Sequence, residues 1–183
     1  MAFSSACQTF IKGVEYLNEM LGRSVAWLTL ALVLLTFIIV VLRYLFNVGS
    51  VALQESLLYL HSLIFLMGAA YTLRHDSHVR VDIFYRPMSA RNKAWVDLFG
   101  AVFLLIPCCL FIFTISWEYV ASSWSYFEGS RESGGIDAIF ALKTLLLIMP
   151  ATVLLQGLAQ SMRSLLILTG QIDPNNPPPA TSP

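Results

Sequence analysis

Charge is scarce in this sequence, and four long stretches have none at all. Acidic and basic residues make up 12% of the 183 positions, against 57% apolar and aromatic types and a mean hydropathy of +0.70. A water-soluble domain could not cover that much apolar surface with so few polar groups, so the sequence reads as an integral membrane protein. Cysteine is nearly missing too: Cys7 stands alone and Cys108 and Cys109 are neighbours. No C-x-x-C pair exists, which argues against redox chemistry or a cysteine metal site and leaves three small apolar residues. Of the histidines, His61 alone falls inside an apolar stretch, so the facing axial pair of a bundle haem is lacking. His75, Asp76 and His78 are ligand types close together, but no fourth ligand recurs at a matching spacing, and a solvated loop is expected. There is no nucleophile–base arrangement, phosphate loop, nucleic-acid patch, internal repeat or second domain. The sequence therefore points to neither an enzyme nor a nucleic-acid-binding protein, and calls for no cofactor.

What is present is hydrophobic length. From Glu55 to Arg74 there are 19 steps, which at about 1.5 Å each cover roughly 28 Å of helix. That is close to the ~30 Å hydrocarbon thickness of a bilayer, so the two charges are expected at opposite faces of one crossing over about 56–73. Three more crossings are expected over about 24–42, 98–117 and 144–162. Pro107 removes a backbone donor in the third and kinks it, and Pro150 lies near the start of the fourth. Asn47 to Ser50 is turn chemistry, and Ser89 is placed to cap the third long helix. Arg43, Tyr44, Arg74, Arg80, Trp117 and Trp124 are cations and aromatics at run ends, as expected of membrane-interface anchors.

The flanks differ in character. In residues 1–23, Phe3, Cys7, Phe10, Val14, Leu17 and Leu21 recur at four- and three-residue steps, with Ser4, Gln8, Lys12, Glu15 and Glu19 between them. That spacing predicts an amphipathic helix lying along the membrane interface or against a partner helix, and the lack of a positive cluster makes it a poor signal peptide. Residues 164–183, with DPNNPPPATSP from Asp173, predict a disordered tail. The fold class expected is all-α integral membrane: four transmembrane helices in one domain over 24–163, plus the N-terminal interfacial helix.

Orientation follows from the cations. Lys12, Arg23, Arg74, Arg80, Arg86, Arg91, Lys93 and Arg163 fall on one side, eight in all, and Arg43, Arg131 and Lys143, three in all, on the other. The positive-inside bias places both termini in the cytoplasm.

A carrier must replace a solute's hydration shell with polar ligands inside the membrane. These runs offer His61 and, near an end, Glu55, so the chain is not expected to transport anything alone. Glu55, Tyr59 and Ser62 share one helix face, and Gly68, Ala69 and Ala70 allow close approach of another helix. With Lys143 and the hydrogen-bonding Gln156, they form the candidate subunit interface.

The segments RYLFNVGSVALQE, LMGAAYTLRHDSHVRVDIFY, SWSYFEGSRESGG and LLQG resemble, in order and spacing, the small membrane subunit of tripartite ATP-independent periplasmic (TRAP) transporters, the DctQ-type small permease. The resemblance covers about Arg23 to Arg163. It departs from relatives where Asp137 and Phe140 replace a frequent proline and tryptophan, and where His61 replaces a frequent tryptophan. It implies a bacterial inner-membrane subunit that braces a large permease subunit during ion-coupled uptake of a solute, often an organic acid, delivered by a periplasmic solute-binding protein. Two rival readings are a self-sufficient homodimeric transporter and a non-transport membrane adaptor.

Overall fold

The computed structural model describes residues 2–78 and 82–172. Arg80, expected as an anchor, and 173–183, part of the tail expected to be disordered, lie outside the described residues. Among the described residues there is no strand. Helix α1 spans Ala2–Leu45, α2 Val51–Arg74, the one-turn α3 Asp82–Tyr85, α4 Ala90–Gly100, α5 Ile106–Ser125 and α6 Ile139–Leu168. A π-helical turn, Ala101–Leu105, joins α4 and α5 into one rod. Among the described residues, four helices are long and apolar enough to cross a membrane: α1, α2, the α4–α5 rod and α6.

Local chemistry sets several boundaries. Ser50 Oγ accepts the Leu53 N–H and Ser89 Oγ accepts the Asn92 N–H, both at 3.4 Å, which caps the starts of α2 and α4. Asn47, at φ 53°, makes the left-handed turn between α1 and α2, a conformation asparagine tolerates. Just before Pro107, where a kink is expected, the structure has the π-turn. Proline has no N–H and its ring crowds the carbonyl one turn back, and here the Ile106 N–H reaches back five residues to the Ala101 carbonyl. That widening keeps the rod helical.

The N-terminal expectation is corrected. Among the described residues there is no separate N-terminal interfacial helix: residues 2–45 form one uninterrupted helix, about 66 Å long at 1.5 Å per residue. Its buried stripe is also turned from the expected one. Cys7, Ile11, Val14 and Val25 are buried, with Glu15 and Asn18 on the same side, while Phe10 and Leu17 are exposed. Cys7, Ile11 and Val14 pack on Ala159 and Leu166 of α6. The cover for this stripe thus comes from the chain itself, which removes the reason for the helix to lie flat.

Helix α6 is the hub, touching α1, α2, α4 and α5. Its helix runs to Leu168, and Ser164 and Leu166 near its end are buried. The most deeply buried residues are small or polar, with Ser123 at 0% exposed and Asn18 and Ala159 at 1%, beside a few aliphatics such as Ile11 and Leu166. What lies outside is large and apolar, as with Trp27 at 75% and Phe65 at 72%. That inversion suits lipid, where close packing of small residues and internal hydrogen bonds hold helices together. Gly22 shows the packing: a Cβ there would collide with the Tyr71 ring of α2.

Candidate functional site at the two ends of the bundle

The half-buried charges gather at opposite ends. At the first end, the stretch between α5 and α6 is held by two carboxylates. Glu55 of α2 accepts the Ile136 N–H at 2.6 Å and the hydroxyl of Ser130. Ser130 Oγ in turn accepts the Glu132 N–H at 3.1 Å. Gly135 makes this possible, since a Cβ there would overlap Ser130 and crowd the Glu55 carboxylate. Glu128 accepts from Ser123 Oγ at 2.7 Å and from Lys143 Nζ. The ammonium of Lys143 also sits 4.0 Å from the centre of the Tyr119 ring. The hydrogen bond from Lys143, followed by that from Ser123, holds the Glu128 carboxyl below its ordinary pKa of 4.5.

Aromatic packing finishes this end. The Trp124 indole N–H donates to Thr144 Oγ1 at 2.9 Å, and its ring meets Phe140 edge-on at 4.7 Å. Phe127 meets Phe140 edge-on at 5.5 Å and adopts a left-handed φ of 48° at the end of α5, strained for a bulky residue. The loop is thus tied to α2, α5 and α6 together.

At the second end, charges pair helix to helix. Glu19 of α1 binds Arg74 at the last turn of α2 and Arg23 Nε at 3.0 Å. The His75 ring lies tilted by 40° against Tyr71 with ring centres 4.2 Å apart, and its Nε2 lies 3.4 Å from Glu19. Glu15 accepts from Arg163 of α6 at 2.5 Å. One turn on, Asn18 Nδ2 donates to Gln156 Oε1 at 2.7 Å, and both residues are buried. Beside them is a cavity of about 330 Å³ lined by side chains of α1, α2, α4 and α6.

The candidate residues separate accordingly. Glu55 and Lys143 spend their charges inside the chain, on the loop, and Gln156 spends its amide on Asn18. Tyr59 and Ser56 line an apolar hollow of about 320 Å³ beside Ile136 and Leu145, and Ser62 is half-buried. At Gly68 no atom lies within 4 Å of where a Cβ would stand; Ala69 is half-buried and Ala70 is the buried one. Arg43 and Tyr44 are exposed near the end of α1, Trp117 is exposed within α5 rather than at its end, and Arg74 is held by Glu19. His61 is exposed on the outer face, stacked 6.4 Å from Phe65.

Sequence reading missed Glu15, Asn18 and Glu19 as structural partners. A usable signal was present: Glu15 and Asn18 lie three apart and Glu15 and Glu19 four apart, so all share one side of α1.

The sequence profile of the family described as "Tripartite ATP-independent periplasmic transporters, DctQ component" matches residues 32–166. The chain belongs to this family. It is similar to the C4-dicarboxylate TRAP transporter small permease protein DctQ of Vibrio cholerae serotype O1 (strain ATCC 39315 / El Tor Inaba N16961), with 29% identity over 98 residues. That match takes in 54% of this chain and 39% of the relative, so the chain spans well under half of the relative's length. No solved structure matches. The Glu55 cluster lies wholly inside the family's segment, and the Glu19 cluster partly: Arg74, Gln156 and Arg163 lie within 32–166, while Glu15, Asn18 and Glu19 precede it. As a DctQ-family protein with four long apolar helices, it is a multi-pass transmembrane component of a transport system.

Proposed function

We propose that this chain is the small subunit that braces the large permease of a TRAP transporter and moves no solute itself. The large subunit carries out ion-coupled uptake of an organic acid handed over by a periplasmic solute-binding protein. The observation that supports this is where the polar groups go. Glu15, Glu19, Glu55 and Glu128 lie at the ends of the bundle and bind partners in the same chain. Along the spans, hydroxyls such as Thr36 and Ser161 bond to carbonyls of their own helix at 2.7 and 2.8 Å. Among the described residues, Tyr59 Oη is the buried side-chain polar atom left without a partner, and one hydroxyl cannot replace the water of a solute crossing the bundle.

Uptake in vesicles tests the reading. Saturable, gradient-driven uptake of organic acids is expected when this chain, the large permease and the receptor are all supplied. Uptake by this subunit alone would overturn the reading and favour a self-sufficient homodimeric carrier. The orientation proposed with it places both termini and the Glu15–Arg163 end in the cytoplasm of a bacterial inner-membrane protein, with the 126–138 loop outside. Cysteines at the exposed Asn92 and Ser133 should then label from opposite sides, Ser133→Cys from outside. Labelling of both from one face would sink that arrangement.

A further inference from the structure

Large apolar side chains cover the outside of every span, and lipid suits them all. Polar side chains on that surface are more telling. Thr29, Thr36 and Thr114 face outward, and each hydroxyl donates to a carbonyl three or four residues back in its own helix. Lipid need supply them nothing. His61 and Gln54 of α2 differ. Both side chains are exposed, and among the described residues neither has a hydrogen-bond partner. The imidazole has the Phe65 ring as its neighbour, with centres 6.4 Å apart. It lies six residues beyond Glu55, about 9 Å further into the span at 1.5 Å per residue. An acyl chain offers no hydrogen bond there, and polar groups within spans turn toward protein or water.

The two residues belong to one stripe. Gln54, Leu58, His61, Phe65 and Gly68 recur at steps of four, three, four and three, which sets them along one face of α2. That face is turned away from the side that buries Ala70. It runs for about 21 Å at 1.5 Å per residue. Leu58 and Phe65 stand out from it, 55% and 72% exposed. At Gly68 the space where a Cβ would stand is open, so another helix can come close to the backbone. Glu55, next to Gln54 in sequence, is spent on the loop, so the face left for a partner is this one.

We propose that the Gln54–Gly68 stripe of α2 is the docking face for a membrane-spanning helix of the large permease subunit, which sets a hydrogen-bonding side chain opposite His61. An imidazole can both donate and accept, so a hydroxyl, an amide or a carboxyl on the partner helix completes it. Leu58 and Phe65 supply the packing on either side, and Gly68 the closest approach. The inference rests on the bracing role proposed above. The family match supports the choice of occupant, because it makes this chain one component of a multi-part transporter. A second copy of the chain is the rival occupant, in which a parallel two-fold pair would bring His61 against His61.

The test is photo-cross-linking in cells that produce the full-length chain together with the large permease subunit. A benzophenone amino acid replaces Phe65 on the stripe or, separately, Phe111, which is exposed on α5. Position 65 should cross-link to the large permease about tenfold more than position 111. In the chain without a probe, His61→Leu should lower co-purification of the large permease about threefold, the effect of one hydrogen bond between membrane helices. His61→Gln keeps a donor and an acceptor and should restore it. Cross-linking from position 65 to a second copy of this chain makes the stripe a self-association face and overturns the proposal. Cross-linking to the large permease from position 111 but not 65 overturns it as well, yet leaves the bracing role standing. Undiminished recovery with His61→Leu removes the hydrogen bond and with it the proposal. If the wild-type chain retains no large permease at all, the bracing role itself falls, and this inference with it.

Discussion

Both ends of the bundle use glutamates, but for different tasks. At the Glu19 end each acid faces an arginine on another helix, so the charge joins two rigid rods. At the Glu55 end the acids face hydroxyls, one ammonium and a backbone N–H, so they shape a stretch that is not helical. The difference follows from what each end must satisfy. Antiparallel helices meeting at the Glu19 end already have their backbone groups paired, and only side chains need partners. The 126–138 loop leaves backbone donors free near the membrane, where unpaired groups are costly, and a carboxylate with two oxygens can take two donors. Removing a partner should therefore loosen helix packing at one end, and at the other free the loop while the helices stay in place.

The largest effect is expected from Arg74→Met. It strands the mostly buried Glu19 with only the exposed Arg23 and His75 beside it, and should cost about 3 kcal/mol. Melting in detergent followed by circular dichroism measures this. The double change Arg74→Met with Glu19→Leu should recover most of the loss, because no orphaned charge remains. If the double variant is as unstable as the single, the pair is not what joins α1 to α2.

Next comes Asn18→Leu, which leaves the buried Gln156 amide without its partner and should cost about 1 kcal/mol in the same melt. Pairing it with Gln156→Leu should return stability close to wild type. A strictly additive double variant would show that the two amides do not depend on each other.

At the other end, Glu55→Leu should leave the melting curve of the helices little changed. Amide exchange at Ser130 to Ile136 should quicken by about tenfold, as expected of local opening. Glu55→Gln keeps one acceptor oxygen and should fall between. Equal acceleration along α2 would erase the contrast between the two ends.

The smallest effect is expected from acid. Glu128 titrates lower in the fold than its ordinary value of 4.5 because Lys143 and Ser123 donate to its charged form. A depressed carboxylate stabilises the fold fully above its ordinary pKa and loses that contribution as pH falls through the folded value. Exchange protection of the 126–138 loop should thus stay flat from about pH 7 to 5 and decline below about 4.5. Glu128→Gln should flatten the decline. A loop equally protected at pH 3 and 7 would remove Glu128 from its support.

Some of this was legible in the residues. The uncharged runs marked four membrane-length helices, Ser50 and Ser89 marked two of their starts, and the proline at 107 marked the irregular turn. Glu55 and Arg74 did fall near the ends of one helix. Those are local properties: hydrophobic length, a capping hydroxyl and a missing N–H act on their own few residues whatever the rest of the chain does. Which way each helix faces was decided only by the tertiary structure. In α1 the apolar spacing suggested Phe10 and Leu17 as the covered side, yet Ile11, Asn18 and Gly22 are covered and the large side chains point out. Glu15 and Glu19, read as the polar side of a surface helix, proved to be bound to Arg163 and Arg74 far along the chain. The physical reason is that lipid is as apolar as the inside of the bundle, so hydropathy does not distinguish the two surroundings. Small size and complementary polar groups do, and they declare their role only when the partner helix arrives.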